Sequence, residues 1–163
     1  ILGRLVGSEM CIRDSCSGAK SILDLSKTNE LLETLGITRI GYQTNYMPGF
    51  WYEETENKVD NKFDEIHEIS SFLKLNENMG NKKSILIFNK VPLEKALNKN
   101  DVEKWINNAT IKADRNNISG KELTPFLIKE INEQSKNETL NANVSLIINN
   151  ANLAGKIAKS FYS

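Results

Sequence analysis

The chain has 163 residues, enough for one modest domain with a buried core. Its 21 basic and 21 acidic residues balance, so it lacks the positive field with which nucleic-acid-binding proteins neutralise phosphates. Its sequence also contains no apolar run long enough to span a bilayer. We therefore expect neither a nucleic-acid nor a membrane partner. Two cysteines, Cys11 and Cys16, are too few for a disulfide framework, which indicates a reduced, cytoplasmic protein.

The N-terminal segment reads differently from the rest of the chain. The chain begins with Ile1 rather than methionine, so we expect it to be part of a longer reading frame. Residues 2–15 resemble translated sequencing-adaptor sequence and lack the features of a signal peptide. The polar run at 13–15 is also poor strand sequence. We expect residues 1–15 to be a non-native or disordered leader before a domain at 16–163; a natural extension is the alternative.

The remaining sequence contains both helical and strand patterns. Strands are expected at 38–43 and 84–89, and the second has the near-continuous apolar run of a strand covered on both faces. Helices are expected to begin near residues 26, 64, 101, 124 and 139. Thr124 is the expected cap of the fourth helix. The last helix should bury a stripe of apolar residues: Leu140, Val144, Ile147, Ala151, Ala154, Ile157 and Phe161.

One lysine, Lys20, lies among small residues and is followed by an apolar run. A lysine is a nucleophile only after it loses its proton, and desolvation or a second cation can lower a lysine pKa from about 10.4 to about 7–8. Lysines of that kind attack carbonyl carbons to form Schiff bases. The alternative is an ordinary lysine at a strand end whose amine reaches water. The residues alone leave both interpretations open.

Several short blocks share their order and spacing with one known family. They lie at 16–24 (CSGAKSILD), 41–44 (GYQT), 120–127 (GKELTPFL), 140–143 (LNAN) and 149–154 (NNANLA). On these blocks the chain resembles the C-terminal half of the pseudouridine-5'-phosphate glycosidases. The resemblance implies a C-terminal fragment of a three-layer α/β/α domain, rich in helix and with a few remaining strands.

The resemblance also implies an activity and its residues. The family reversibly cleaves the carbon–carbon glycosidic bond of pseudouridine 5'-phosphate to uracil and ribose 5-phosphate, through a lysine Schiff-base adduct. Lys20 is the implied catalytic residue, and Asn143 is an implied substrate-binding residue. For Asn143 a tether between helix and loop is equally open. Gln43 and Thr44 are further candidates for substrate binding, because they follow a strand where ligands bind in open α/β sheets.

Other family features are expected outside this chain. The catalytic acid and the ligand of a divalent metal, commonly Mn, belong to the other half of family members, so we expect no metal ligand here and an inactive fragment. The family usually forms homotrimers. Lys62 stands where the family usually has arginine, and a lysine cannot reproduce a bidentate arginine contact. His67 falls on the polar side of its predicted helix, which indicates a surface residue.

Two rival functions remain from the sequence. One is a non-catalytic oligomerisation or binding module built from the same half-domain. The other is a different Schiff-base lyase that acts on a sugar phosphate, such as an aldolase. Trapping of a lysine adduct with borohydride separates both enzymes from the binding module, and release of uracil separates the glycosidase from the aldolase.

Overall fold

A computed structural model describes residues 13–22, 24–81 and 83–163. Within these residues the strands are β1 (Arg13–Cys16), β2 (Thr38–Tyr42), β3 (Asn61–Phe63) and β4 (Ile85–Asn89). The helices are α1 (Leu25–Thr34), α2 (Ile66–Asn78), α3 (Lys99–Arg115), α4 (Leu123–Gln134) and α5 (Glu138–Tyr162). Short 3-10 turns lie at Leu93–Lys95 and Gly120–Glu122. The helix-rich α/β class expected from the sequence is confirmed.

The strands form one parallel sheet in the order β1-β4-β2-β3. Phe88 of the central strand β4 is level with Cys16 on one side and Gly41 on the other. The carboxyl ends of β1, β4 and β2 therefore lie together at one edge of the sheet, which we call the carboxyl edge. Parallel α/β sheets generally bind their ligands at this edge.

Helices cover both faces of the sheet, as expected for three layers. On one face, α2 and α5 bury a cluster with the sheet that includes Ile40, Ile69, Ile87 and Leu153. On the other face, Leu32 of α1 packs near Phe88 and Met47. The alternating residues of β4 thus face opposite layers, which explains the near-continuous apolar run predicted for a doubly covered strand. Each fully buried aliphatic side chain contributes about 1.5–3 kcal/mol.

A second core lies beside the sheet layers. It joins α3, α4 and the start of α5 through residues such as Val102, Ile131 and Ala142. Trp51 and Tyr52, from the loop at residues 44–52 that we call the aromatic loop, are buried in the same cluster. This core fastens the aromatic loop between the helices and the carboxyl edge.

Strand β1 differs from the sequence-based expectation. Its residues Arg13–Cys16 pair in parallel with β4, although the segment at 13–15 has low strand propensity. A neighbouring strand with open backbone groups overrides such a preference, because propensity in sheets depends strongly on tertiary context. The rest of the expected leader, including Cys11, lies outside the described residues, so the origin of residues 1–15 stays a prediction.

Thr124 does not cap α4, contrary to the sequence-based prediction. The helix begins at Leu123, directly after the 3-10 turn, and Thr124 lies in its first turn. The backbone N–H of Leu123 donates to the carbonyl of Gly120, so the 3-10 turn itself supplies a partner at the helix start. At the start of α4, the 3-10 turn thus stands where the sequence predicted a side-chain cap from Thr124.

The buried stripe of α5 was also predicted wrongly along most of the helix. Of the predicted residues, only Ile157 is buried and Phe161 is half-buried, whereas five are exposed: Leu140, Val144, Ile147, Ala151 and Ala154. The buried residues are instead Thr139, Ala142, Leu146, Leu153 and Ile157. Where this buried side passes the carboxyl edge it carries two amides, Asn149 and Asn150, which bond polar groups of the sheet. Apolar periodicity could not identify a buried side that is polar at its middle.

Candidate active site

Lys20 lies directly after β1 at the carboxyl edge of the sheet. It belongs to residues 17–22, which we call the Lys20 segment, between β1 and α1, and its side chain is half-buried. Among the described residues no carboxylate or hydrogen-bonding group contacts its Nζ. Other lysines are paired: Lys27 lies 3.1 Å from Asp24 and Lys112 lies 2.7 Å from Glu130. The Lys20 amine is therefore available to a ligand.

The Lys20 segment is fastened to the aromatic loop on both sides of the lysine. Before it, the N–H of Phe50 donates to the carbonyl of Ser17 at 3.1 Å. After it, the hydroxyl of Ser21 donates to the carbonyl of Gly49. Between them, Gly18 has φ +89°, and a Cβ there would lie 2.0 Å from the carbonyl oxygen of Pro48. Only glycine permits both this conformation and this close approach.

Asn143 lies against the same aromatic loop from the side of α5. Its Oδ1 accepts a hydrogen bond of 2.8 Å from Nε1 of Trp51. Both residues line a mostly apolar cavity of about 460 Å³, together with residues of α4 and α5 such as Thr124, Pro125 and Leu140. Lys20 is not among the residues that line it. The tether between helix and loop that the sequence left open is present, and the Asn143 Nδ2 has no described acceptor.

Gln43 and Thr44 follow β2 at the carboxyl edge, but their polar groups bond to nearby chain. The Thr44 side chain is buried, with Oγ1 2.8 Å from Oε1 of Glu54 and 2.9 Å from the carbonyl oxygen of Tyr46. Gln43 is exposed and has φ 56°, and its Nε2 donates to the carbonyl of Asp64 at 3.2 Å. The aromatic loop therefore joins the surroundings of Lys20 and Asn143, whereas Gln43 and Thr44 hold the turn after β2.

A second group of polar residues closes the carboxyl edge beside Lys20. Ser17 follows the last residue of β1 and Asn89 is the last residue of β4, and both are buried. The amide of Asn150 on α5 bonds them both, with Nδ2 3.1 Å from the Ser17 hydroxyl and Oδ1 3.2 Å from Nδ2 of Asn89. Sequence reasoning left Asn89 and Asn150 between ligand contact and structure, and it did not consider Ser17. The adjacent asparagines inside an apolar helix were the available signal.

The other residues discussed from the sequence lie at the surface. His67 is exposed in the first turn of α2, as expected from its position on the polar side. Lys62 of β3 forms an ion pair of 2.9 Å with Asp64. Within residues 13–22, 24–81 and 83–163, no group of at least three His, Cys, Asp or Glu side chains could hold a metal ion. These residues do not fit a manganese site.

Two groups near the aromatic loop have shifted pKa values. Burial raises the pKa of the Tyr52 phenol, and the nearby carboxylates of Glu103 and Glu56 raise it further. Asp60 is partly buried, which raises its pKa, but hydrogen bonds from the side chain and backbone of Arg39 outweigh this and hold the pKa below its usual range. The Tyr52 hydroxyl therefore stays neutral, and the Asp60 carboxylate stays charged beside Arg39.

Across the described part of the chain, none of the helices has the length and apolarity that a membrane span needs.

Comparison with known proteins places the chain in a family. Residues 8–160 match the family model described as "Indigoidine synthase A like protein". Proteins named pseudouridine-5'-phosphate glycosidase are 44 % identical over 143 residues in Kosmotoga olearia and 41 % identical over 143 residues in Staphylococcus aureus. Each alignment covers 88 % of this chain, but 50 % and 47 % of the respective relatives. The chain belongs to the indigoidine synthase A-like family.

Solved structures agree with this assignment. The prealnumycin C-glycosynthase, in complex with ribulose 5-phosphate, matches with a TM-score of 0.86 and 26 % identity over 94 % of this chain and 51 % of that chain. An indigoidine synthase A-like protein from Thermotoga maritima matches with a TM-score of 0.79 and 33 % identity, covering 91 % of this chain and 49 % of that chain. The chain thus shares the fold of an enzyme family that includes the pseudouridine-5'-phosphate glycosidases, and spans about half the length of the relatives it matches.

Proposed function

We propose that the whole protein to which this chain belongs cleaves pseudouridine 5'-phosphate to uracil and ribose 5-phosphate, with the Lys20 amine as nucleophile. The observation that carries the proposal is the Lys20 amine at the carboxyl edge, which has no partner within residues 13–22, 24–81 and 83–163 and lies on a segment fastened on both sides. Relatives named for this activity support the choice of substrate. The ribulose 5-phosphate bound by the C-glycosynthase supports a pentose phosphate as the ligand class.

Cleavage of the bond between C1' of the ribose and C5 of uracil needs an imine-forming group at C1'. The leaving atom is a ring carbon, and it cannot depart as the protonated oxygen of an ordinary glycoside does. The unprotonated Lys20 amine attacks C1' of the ribose, and the C1'–O4' bond breaks as O4' takes a proton. The nitrogen lone pair then forms a C1'=N bond while the bond from C1' to C5 of uracil breaks, and C5 takes a proton. Water hydrolyses the imine, which releases ribose 5-phosphate and the free amine.

Borohydride trapping tests this role of Lys20. The whole protein is incubated with ribose 5-phosphate and borohydride, and the modified peptide is identified by mass spectrometry. We expect a stable adduct on Lys20 and none in Lys20→Arg, since a guanidinium does not form the imine. Lys27→Arg is the matched control, because Lys27 is an exposed lysine paired with Asp24 a few residues away. An adduct that survives in Lys20→Arg contradicts the assignment.

Uracil release, followed by absorbance, then distinguishes the enzymes. Release from pseudouridine 5'-phosphate that stops in Lys20→Arg supports the glycosidase. An adduct without uracil release indicates another Schiff-base lyase that acts on a sugar phosphate. The absence of both indicates a binding or oligomerisation half-domain.

The remaining roles are proposed from the resemblance. We propose that Asn143 contacts the substrate from α5, beside the aromatic loop, where its Nδ2 has no described acceptor. A contact of Gln43 or Thr44 with the substrate stays a prediction. We also propose that the whole protein is a cytoplasmic homotrimer. It would bind a divalent metal, commonly Mn in the family, through residues outside this chain. Light scattering and metal analysis of the whole protein test the last two statements.

A further inference from the structure

The side chain of Asn150 is the point at which α5, β1 and β4 meet. Its Nδ2 lies 3.1 Å from the hydroxyl of Ser17, and its Oδ1 lies 3.3 Å from the same hydroxyl. The same Oδ1 accepts a hydrogen bond of 3.2 Å from Nδ2 of Asn89. The hydroxyl of Ser15 donates to the backbone carbonyl of Asn150 at 3.0 Å. One residue of the helix therefore binds the ends of two adjacent strands.

Both residues whose side chains bond the Asn150 amide, Ser17 and Asn89, are buried. Ser17 is 2 % exposed and Asn89 is 6 % exposed, so water does not readily replace a lost partner. Buried polar groups without a partner are strongly disfavoured, which fixes the positions of Ser17 and Asn89 relative to α5. Asn149, the preceding residue, makes a different contact, from its Nδ2 to the carbonyl of Lys90 at 3.0 Å. Only Asn150 of these two asparagines touches the Lys20 segment.

Ser17 is the first residue of the Lys20 segment, three positions before the lysine. Its carbonyl accepts the N–H of Phe50, so Ser17 is held by α5 through its side chain and by the aromatic loop through its backbone. Gly18 follows with φ +89°, directly against Pro48. A shift of Ser17 is therefore transmitted along a short, tightly packed segment to Lys20.

We infer that Asn150 is a positioning residue for Lys20: its amide fixes Ser17, and through Ser17 the place from which the amine meets the sugar. The inference rests on the proposed function, because it assigns a role in imine formation. A misplacement of about 1 Å can cost about a hundredfold in rate, so loss of one such anchor is expected to slow the chemistry measurably. A purely structural amide would affect stability alone.

The test measures the rate of borohydride-trapped adduct at saturating ribose 5-phosphate in the whole protein, together with the thermal unfolding midpoint. We expect Asn150→Ala to trap adduct about tenfold or more slowly. Asn149→Ala is the matched control: it also removes an amide that ties α5 to the sheet edge, and its trapping rate should stay within about twofold of wild type. Ser17→Ala, which removes a single oxygen, should slow trapping even if Asn150→Ala folds poorly.

A double-mutant cycle separates action through Ser17 from independent effects. The Ser17→Ala, Asn150→Ala double variant should be no slower than the slower single variant, because both changes remove the same contact. Trapping by Asn150→Ala within about twofold of wild type, or fully multiplicative effects in the cycle, overturns the inference alone. No adduct in the wild type overturns the proposed function and this inference with it.

Discussion

Strands β1 and β2 both lead to the carboxyl edge of the sheet, and the loops that follow them differ in where their holding contacts originate. The Lys20 segment after β1 is held by distant parts of the chain, namely Asn150 of α5 and the aromatic loop. The loop after β2, which includes the aromatic loop, also contacts α5 through Trp51 and Asn143, but it adds bonds within itself, from Thr44 to Glu54 and from the N–H of Met47 to the carbonyl of Asn57 at 2.8 Å. The Lys20 amine has no partner among the described residues, whereas the Thr44 hydroxyl is bonded within its own loop.

This difference shows which loop is built to present a side chain. External anchors on both sides of Lys20 fix the backbone without occupying the amine. Arg39 of β2 bonds Asp60, which lies at the far end of the loop after β2, just before β3. Preorganised placement of a reactive group is a major source of catalytic rate, and it needs rigid support outside the group itself.

Gly18→Ala should have the largest effect, because it breaks the anchoring of the β1 loop. The new Cβ would lie 2.0 Å from the carbonyl oxygen of Pro48, and residues other than glycine rarely adopt the φ of +89° found here. We expect a loss of about 3 kcal/mol or more in the free energy of unfolding and little adduct trapping. Urea unfolding of the whole protein measures the first and borohydride trapping the second.

The matched control for this prediction is Gly155→Ala on α5. A Cβ at Gly155 meets nothing within 4 Å, so the same substitution should stabilise the helix by about 0.5–1 kcal/mol. If the two alanines had equal effects, the close packing of Gly18 against Pro48 would not matter and the comparison would fail.

Asp60→Asn should have the next largest effect, on the β2 loop. Arg39 is buried, at 8 % exposed, and its guanidinium bonds the Asp60 carboxylate, so the uncharged Asn side chain would leave this cation less well compensated. We expect a loss of about 2 kcal/mol in the free energy of unfolding at pH 7. Imine trapping per folded molecule should be retained, since Asp60 contacts β2 rather than the Lys20 segment. Urea unfolding gives the stability and trapping gives the activity.

The pH dependence of stability checks the same carboxylate. The pKa of Asp60 is lower in the folded protein than in the unfolded chain, so its contribution is complete above about pH 4 and is lost as the pH falls through the folded-state pKa. The free energy of unfolding of the Asp60→Asn variant should therefore fall less steeply below about pH 4 than that of wild type. Asp114→Asn, an exposed carboxyl on α3, is the control. If the free energy of unfolding fell equally steeply below about pH 4 in wild type and in Asp60→Asn, the role of Asp60 would be contradicted.

Thr44→Val should have the smallest effect. It tests whether Thr44 binds the substrate or only holds the turn after β2. The change leaves the N–H of Tyr46, which donates to Thr44 Oγ1 at 3.1 Å, without this acceptor. We expect a loss of about 1 kcal/mol in stability with an unchanged KM for pseudouridine 5'-phosphate. A raised KM at little cost in stability would instead show that Thr44 contacts the substrate.

The sequence predicted the parts of the fold that depend on local pattern. The apolar run of β4 indicated a strand covered on both faces, and Gly80, with φ +70°, ends α2 where expected. The motif around Lys20 also identified the candidate nucleophile. The predictions of β4 and of the end of α2 succeed because a doubly buried strand must be apolar and a left-handed helix end favours glycine. The role of Lys20 stays a prediction.

Other features depended on partners that lie far apart in the sequence. The residues at 13–15 form a strand because β4 offers them a ladder, and α5 exposes Ile147 while it turns Asn150 inward because the carboxyl edge is polar. The sequence by itself determined the α/β class and the family, and it singled out Lys20 as the candidate nucleophile. Only the tertiary structure decided that Lys20 has no partner among the described residues while Thr44 is bonded within its own loop, because hydrogen bonds between distant segments leave no local periodicity.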